Sequence, residues 1–390
     1  MAKKLTDLDL RNKRVLVRVD FNVPLDKDGN VTSDARIRES LPTIQAILKA
    51  GGKPVLMAHL GRPKGKVVES MRLLPAAKKL QQLLGSTVKT CGECVGPEAE
   101  AASRALQAGE CLVLENLRFH DAEEAGDAAF AAQLAKNGDV YVNDAFGAAH
   151  RAHASVSGVP ALLPSAMGLL MQKELDAFHK VLHAPARPFV AILGGAKVSD
   201  KLPVMQNLLT KVDTLIVGGA MAYTFLVQQG HKVGKSLVEK ELVEEAGKVL
   251  AMCKAQGKQL LLPVDHVCAA EFKADSPASV HTGDIPDGLM GLDIGPETIK
   301  RYVAAIAGAK TVVWNGPMGV FEMDAFCKGT EAVAKAVASS GAFTVVGGGD
   351  SVAAAEKTGV VSKLSHVSTG GGASLELLEG QVLPGVAALG

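Results

Sequence analysis

Phe189-Val-Ala-Ile-Leu-Gly-Gly-Ala-Lys-Val-Ser-Asp-Lys201 runs from five unbroken apolar residues into two glycines and then a charged, serine-bearing stretch. An apolar run without alternation reads as a strand buried on both faces, the pattern of parallel sheets. Where such a strand empties through glycines into a helix, bare backbone N–H groups lie at the positive end of the helix dipole. The turn then binds anions, phosphate above all. The pattern recurs at Leu215-Ile-Val-Gly-Gly219, Phe343-Thr-Val-Val-Gly-Gly-Gly-Asp350 and His366-Val-Ser-Thr-Gly-Gly-Gly372. Four such turns in one half of the chain predict a polyphosphate gripped from more than one side.

Strand-length apolar runs alternate with helical patterns along the rest of the sequence. Strands are expected over 14–19, 54–58, 111–115 and 140–143, then over 189–193, 214–217, 259–263, 311–314, 343–346 and near 366–368. Helices are expected between them over 41–49, 128–136, 203–209, 240–255 and 329–339. Alternation of this kind predicts an α/β fold of parallel sheets covered by helices. So many strands crowd one open twisted sheet, so two sheets are expected, one in each of two Rossmann-like lobes. The apolar period of 169–182 reads as a single helix punctuated by Pro185 and Pro188. The expected organisation is a first lobe over 1–168, an interdomain helix and hinge over 169–187, and a second lobe over 188–375. The tail, 376–390, is expected to pack back on the first lobe.

A chain of 390 residues, 47% of them hydrophobic, fits two or three domains with large cores. A net charge of +1 and 4% aromatics give neither the field nor the stacking surfaces that nucleic acid or a membrane surface would need. No long apolar stretch suits a membrane span, and the N-terminal residues lack the apolar core of a secretory signal. Six cysteines without a paired framework fit a reducing, cytoplasmic setting. Cys91-Gly-Glu-Cys94 has the spacing of a dithiol or half a zinc site, but no second pair or histidine cluster accompanies it in the sequence.

Eleven of the twelve arginines precede residue 188. Ligands in open parallel sheets lie at the C-terminal strand ends, and polar clusters follow four expected strands of the first half. Asp20 and Asn22 follow the first, His59 and Arg62 the second, Arg118 the third and Arg151 the fourth, with Arg36 on a nearby loop. Arginine forks match carboxylate and phosphate two bonds at a time, so this lobe suits a small, highly anionic ligand. In the second half Lys197 and Lys201 stand four apart at a helix start and can face the same phosphates. Gly347-Gly-Gly-Asp-Ser351 offers amides, a hydroxyl and, in Asp350, an acid suited to Mg2+ beside phosphates. The sequence lacks a Walker A loop, a dinucleotide fingerprint and a kinase catalytic loop.

Taken together, Arg18-Val-Asp-Phe-Asn-Val-Pro24, His59-Leu-Gly-Arg-Pro63, Glu115-Asn-Leu-Arg-Phe119 and Ala149-His-Arg-Ala-His-Ala-Ser155 closely resemble the phosphoglycerate kinase family. So do Leu193 to Lys201, Val313 to Glu322, Gly347 to Ser351 and Ser368-Thr-Gly-Gly-Gly-Ala-Ser-Leu-Glu-Leu-Leu-Glu-Gly380, in order along nearly the whole chain. The resemblance implies reversible phosphoryl transfer between ATP and the carboxylate of 3-phosphoglycerate in glycolysis and gluconeogenesis, with small molecules as the only partners and a monomer as the working unit. It implies that Asp20, Asn22, Arg36, His59, Arg62, Arg118 and Arg151 hold phosphoglycerate. Lys197 would stabilise the transferring phosphoryl together with Arg36 and the amides of Gly371 and Gly372, and Lys201 would hold the nucleotide phosphates. Gly348, Gly349 and Ser351 would contact phosphate, Asp350 the metal of MgATP, Glu322 the ribose, and Gly218, Gly219 and Gly291 the adenosine. Closure of the lobes is expected to exclude water from the transfer. The family often has threonine where Ser351 stands, which keeps the hydroxyl, and Cys91 and Cys94 are no part of its pattern. A nucleotide-binding regulator without activity is the alternative. Loss of Lys197, Asp350 or Arg36 would favour it, and all three are present.

Overall fold

The computed structural model describes residues 2–390 and contains two six-stranded parallel sheets. The first is built from β1 (Arg14–Arg18), β2 (Lys53–Met57), β3 (Val88–Thr90), β4 (Cys111–Val113), β5 (Val140–Asn143) and β6 (Ser165–Met167), in the order β3-β4-β2-β1-β5-β6. Strand side chains alternate between faces. Val15 and Val17 therefore pack with Ile37, Ile44 and Ile47 on one side, while Leu16 packs with Leu112, Leu134 and Tyr141 on the other. All are buried. Each such side chain removed from water contributes roughly 1.5–3 kcal/mol.

The second sheet uses β7 (Phe189–Leu193), β8 (Thr214–Val217) and β9 (Gln259–Leu261). Next in the chain come β10 (Asp265–Ala269), β11 (Ser279–Thr282) and β12 (Met290–Ile294), which form a separate antiparallel sheet in the order β11-β10-β12. β13 (Thr311–Asn315), β14 (Phe343–Val346) and β15 (His366–Val367) return to the parallel sheet, whose order is β15-β14-β13-β7-β8-β9. The two expected parallel sheets are thus present, and the small antiparallel sheet is an addition to them. The runs behind β10–β12 are short and break their apolar residues with polar ones, and β11 is exposed, so they lack the unbroken apolar signature that marks the parallel strands.

In each parallel sheet the chain order reverses once. The reversal falls where β1 lies between β2 and β5, and again where β7 lies between β13 and β8. Loops leaving neighbouring strands part in opposite directions there and open a crevice at the strand ends. Both predicted ligand clusters grow from those crevices.

The chain divides into two compact units. One runs to Leu175 and takes in Val382–Gly390; the other is Asp176–Gln381. The first division falls inside the helix Leu169–His183. Within the first unit the C-terminal segment is tied by the Gly385 N–H, which donates to the Ala149 carbonyl at 2.8 Å, and by Asn143 Nδ2, which donates to the Gly385 carbonyl at 3.4 Å.

Two helices differ from expectation. The pattern over 240–255 is a tight turn, Lys240–Leu242, followed by the helix Val243–Ala255. The helix expected over 41–49 is Ala35–Lys49 and runs through Pro42. Proline favours the first helical turn, yet here the helix starts seven residues earlier, at Ala35. Arg36 therefore stands in the first turn of a helix, not on a loop.

Candidate active site

At the β1–β2–β5 crevice the sequence places cations around buried backbone. Arg18, the last residue of β1, is fully buried: its Nε donates to Ser155 Oγ at 2.9 Å, its Nη1 to the Val19 carbonyl at 2.5 Å, and its Nη2 lies 3.0 Å from His59 Nδ1. Asp20 accepts a hydrogen bond from Arg36 Nη1 and caps the turn by accepting from the Asn22 N–H at 3.2 Å. Asn22 Oδ1 accepts from the Gly61 N–H at 2.9 Å. Arg118 Nη1 donates to the Gly61 carbonyl at 2.9 Å, so the ends of β1, β2 and β4 are tied by side chains from one another's loops. Asn116 holds the last of these loops, accepting from the Arg118 N–H at 3.1 Å and donating to the Leu60 carbonyl at 2.8 Å. Arg62 and Arg151 are exposed at the rim.

The charge of this cluster shows in its histidines. Burial first, then the positive charges of Arg18, Arg118 and Arg36, hold His59 well below the usual histidine range. Burial, then Arg118, Arg18 and Arg151, push His153 down to about 4. Both rings are therefore neutral at pH 7. Arg118 Nε, His150 Nδ1 and His153 Nδ1 are buried without hydrogen-bond partners. Carboxylates stand near without forming hydrogen bonds to these atoms: Glu124 Oε1 is 3.4 Å from Arg118 Nε, and Glu123 Oε1, 3.9 Å from His153 Nδ1, is committed with its partner oxygen to the Ser155 hydroxyl at 2.5 Å and N–H at 2.9 Å. A buried polar atom without a partner costs about 1–3 kcal/mol, and several beside crowded guanidinium groups suit an anion of several oxygens.

A stability effect follows from these histidines. In the unfolded chain they protonate near pH 6.5, whereas in the folded chain His153 resists until about pH 4. The unfolded state thus binds more protons between those values, and stability falls as pH drops through that window. Thermal melts from pH 7 to pH 4 are expected to show a falling Tm, with a smaller fall in His153→Gln.

At the β7–β13 crevice the backbone itself forms the surface. Gly194 and Gly316 interlock: the Gly194 N–H donates to the Asn315 carbonyl at 2.9 Å and the Gly195 N–H to the Pro317 carbonyl at 3.1 Å. A Cβ on Gly194 would come within 2.0 Å of the Pro317 oxygen. Gly219, at φ +68°, approaches Gly195 as closely, with its Cβ position 2.4 Å from the Gly195 oxygen. Buried Trp314 fastens the turn by donating from Nε1 to the Gly316 carbonyl at 2.8 Å.

A groove of about 280 Å3 runs over these loops, lined by Lys197, Lys201, Gly348, Gly349, Asp350 and Ser351 among others. Lys201 Nζ donates to Asn315 Oδ1, whose amide donates in turn to the Gly347 carbonyl at 2.8 Å. Burial lowers the Lys201 pKa against the pull of Asp200 and Asp350, so a further anion beside this ammonium would be well received. The Ser351 hydroxyl accepts from the Gly316 N–H at 2.5 Å, which leaves its proton to donate. The groove shares Gly195, Ala196, Pro317 and Asp350 with a second cavity of about 490 Å3, whose lining includes Tyr223, Leu237, Phe272, Met318, Gly291 and Glu322. A polar groove leading into a mostly apolar pocket fits a phosphate chain followed by a flat aromatic ring.

Of the predicted nucleotide residues, Gly219, Gly291 and Glu322 line the pocket. Gly218 lies beneath it, its Cβ position 2.4 Å from Met318 Sδ. Gly371, at φ +50°, and Gly372 are exposed where the short helix Gly372–Leu378 begins. The sequence reading missed Arg18, His153 and the apolar pocket wall. An arginine closing a buried strand is a signal that could have found the first. Tyr223, Leu237 and Phe272 carry none, since apolar residues in sequence read as core.

A family model described as "Phosphoglycerate kinase" matches residues 5–381. The chain is 62% identical to the phosphoglycerate kinase of Moorella thermoacetica over 391 residues, covering 100% of this chain and 99% of that one. It is 56% identical to that of Roseiflexus castenholzii, with the same coverage. Among solved structures, the phosphoglycerate kinase from Coxiella burnetii superposes with a TM-score of 0.91 at 40% identity, covering 100% of this chain and 99% of that one. The enzyme from Pyrococcus horikoshii gives 0.84 at 33% identity, with 99% and 98% covered.

Proposed function

The chain belongs to the phosphoglycerate kinase family and is a kinase with a carboxyl acceptor; we propose that the arginine cluster binds 3-phosphoglycerate and that the groove and pocket of the second unit bind ATP or ADP. The observation that carries this assignment is the buried, anion-seeking cluster of Arg18, Arg118, His59 and His153, with its orphaned polar atoms. The alternative of a non-catalytic regulator finds no support, since the matched family and the named relatives are kinases.

The acceptor explains which residues are needed. A carboxylate of pKa about 3–4 is ionised at pH 7, so the reaction requires no general base to make its nucleophile. The difficulty is that an anion must approach a polyanion, and catalysis becomes positioning and charge neutralisation. Asp20 orients Arg36, and Asn22 fixes the Gly61 loop that in turn receives Arg118, so the fork geometry is set before the acid arrives. Arg62 and Arg151, exposed at the rim, would engage the phosphate end. On the other ligand, Lys201 and the amides of Gly348 and Gly349 would hold phosphate oxygens, Ser351 would donate its free proton, and Lys197 would meet charge developing on the transferred group, with Gly371 and Gly372 adding amides. Glu322 at the mouth of the apolar pocket would accept from ribose, while Gly219 and Gly291 leave room for the base.

Asp350 fits a magnesium ion: it is an exposed carboxylate in the first turn of the helix Gly349–Lys357, bordering both groove and pocket. Mg2+ is held through one or two carboxylates plus substrate phosphates, and when bound here it would neutralise charge on the phosphate oxygens. No helix is long and apolar enough to cross a membrane among the described residues; work in the cytoplasm as a monomer completes the proposal.

Two measurements test this reading. Purified protein given ADP, magnesium and 1,3-bisphosphoglycerate should form ATP, and an absence of ATP sinks the activity. In histidine-resolved NMR titrations the low value of His153 should move upward when 3-phosphoglycerate is added, because the acid offsets Arg118 and Arg18. An unmoved His153 would place the acid elsewhere while leaving the activity standing.

A further inference from the structure

The turn that leaves β3 gathers ligating groups unrelated to the phosphoryl-transfer residues. Glu93, Cys94 and His120 each present one ligand atom, and these atoms all lie within 4.8 Å of one another. His120 Nε2 is 3.0 Å from Glu93 Oε2. Nothing in the chain order joins them, because His120 lies on the far side of β4, at the head of the short helix Asp121–Glu124. Folding brings it to the Cys91–Cys94 turn, which supplies the histidine that the two-cysteine spacing lacked. Cys91, three residues before Cys94, donates from Sγ to the Glu93 carbonyl at 2.9 Å, so both sulfurs belong to one turn.

We propose that Glu93, Cys94 and His120 form a site for a thiophilic divalent cation of the zinc class, and that Cys91, whose sulfur stands outside this close group in the metal-free fold, turns in as the fourth ligand.

Four features support it beyond the proximity of the groups. A tetrahedral zinc with bonds of about 2.0–2.3 Å sets its ligand atoms about 3.3–3.8 Å apart, so the cluster needs only a small contraction. The donor set mixes thiolate, imidazole and carboxylate, which suits zinc and disfavours magnesium. Cys94 is buried while Glu93 and His120 are about one-third exposed, at 38% and 33%, which gives an ion a path in from solvent. The turn is braced from behind: Asn137 Nδ2 donates to the Cys94 carbonyl at 3.0 Å, and the Gly92 N–H donates to Glu98 Oε1 at 2.6 Å. Such outer contacts hold ligands in place.

The same geometry argues against a redox dithiol. Burial pushes the Cys91 thiol up to about 11 and the Cys94 thiol well above its usual range. Low-pKa thiolates are the reactive ones, and burial works in the opposite direction here. Thiolate and neutral imidazole are the ligating forms, so metal uptake should release protons and strengthen as pH rises.

The test uses the full-length, reduced, metal-free protein without nucleotide. Zn2+ is titrated against a chromophoric chelator, and Co2+ is followed by absorption. One equivalent of Zn2+ should bind, and Co2+ should give thiolate charge-transfer absorption with the intense visible bands of a tetrahedral ion. His120→Gln keeps a half-exposed position polar and should fold; it should weaken Zn2+ binding beyond the roughly 10- to 100-fold loss typical of an outer contact. Cys94→Ser should abolish the charge-transfer band, and Cys91→Ser should weaken it; an undiminished band in Cys91→Ser would overturn that residue as a ligand. Magnesium-supported phosphoryl transfer should be unchanged in His120→Gln, since His120 lies outside the proposed substrate contacts. Equal Zn2+ affinity in the wild type and His120→Gln, or a Co2+ spectrum without thiolate character, would overturn the site. The first result would instead point to the exposed His179–His183 pair, whose rings are 4.5 Å apart.

Discussion

Lys197→Ala is expected to lower the turnover of phosphoryl transfer by about 10²–10³, the loss typical when one preorganised donor to developing charge is removed. The reasoning begins with what holds each lysine of the groove. Lys201 is largely buried and donates to Asn315, which in turn holds the Gly347 loop. Truncating it would leave Asn315 unsatisfied and mix a structural defect with a chemical one. Lys197 is exposed on a loop pinned independently of its side chain: Ser199 donates from Oγ to Glu239 Oε1 at 2.6 Å and from its N–H to Glu239 Oε2 at 3.1 Å. Burial raises the Glu239 carboxyl, but those hydrogen bonds, one from the Val198 N–H and the charge of Lys197 outweigh it and keep it ionised. Alanine at 197 should therefore leave Tm almost unchanged, as exposed substitutions usually do. Steady-state kinetics separate the two roles. If Lys197 meets charge only in the transition state, kcat falls while the KM for nucleotide stays near its wild-type value. A raised KM with kcat intact would show that Lys197 merely anchors the nucleotide, and the proposed role would be lost.

The contrast between the two lysines reflects what a sequence can and cannot disclose. Strand ends were legible because a doubly buried strand has no polar alternation, and its exit through glycine is abrupt; β5, β7, β8 and β14 have the bounds expected for them. The polar groups at those strand ends followed directly, from Asp20 and Asn22 after β1 to Asp350 after β14. Three kinds of feature escaped. The helix expected from residue 41 begins at Ala35, so Arg36, expected on a loop, stands in its first turn. The strands β10–β12 carry Asp265, His266, Ser279 and His281 among apolar residues, and such short mixed runs have no period strong enough to see. The apolar pocket wall is invisible in principle: Phe272 is 60% exposed and Leu237 54%, yet neither differs in sequence from a core residue. Arg18 is the instructive middle case. An arginine ending a buried strand conflicts with its surroundings, and local conflict of that kind marks function more often than structure. The metal-ligating cluster at Glu93, Cys94 and His120 was out of reach for a different reason, since its third member joins only when β4 and its following loop fold back beside the turn.

The largest stability effect is expected from Gly194→Ala. A glycine that merely adopts a positive φ tolerates a side chain at modest strain, but Gly194 lies outside the left-handed region and is constrained by packing. Its Cβ would come within 2.0 Å of the Pro317 oxygen and 2.8 Å of the Gly316 oxygen. These are backbone atoms and cannot rotate away. They are held by the Gly195 N–H, which donates to that same Pro317 oxygen, and by Trp314 Nε1, which donates to the Gly316 carbonyl. Relief requires the two loops to separate, breaking those bonds and opening the turn over buried Trp314. Overpacking of this kind costs about 3 kcal/mol. In a unit of this size that lowers Tm by about 6–12 °C. The loops that separate are the ones that line the groove proposed to hold nucleotide phosphates, so ADP affinity should fall with stability. Gly349→Ala supplies the matched comparison. No atom lies within 4 Å of its Cβ position, and it begins the helix Gly349–Lys357, where alanine is the better helix former. It should leave Tm unchanged or slightly raised. If Gly194→Ala melted with Gly349→Ala and bound ADP as wild type, the interlocked turn would not be what shapes the nucleotide groove, and the close approach of β7 and β13 loops would need another explanation.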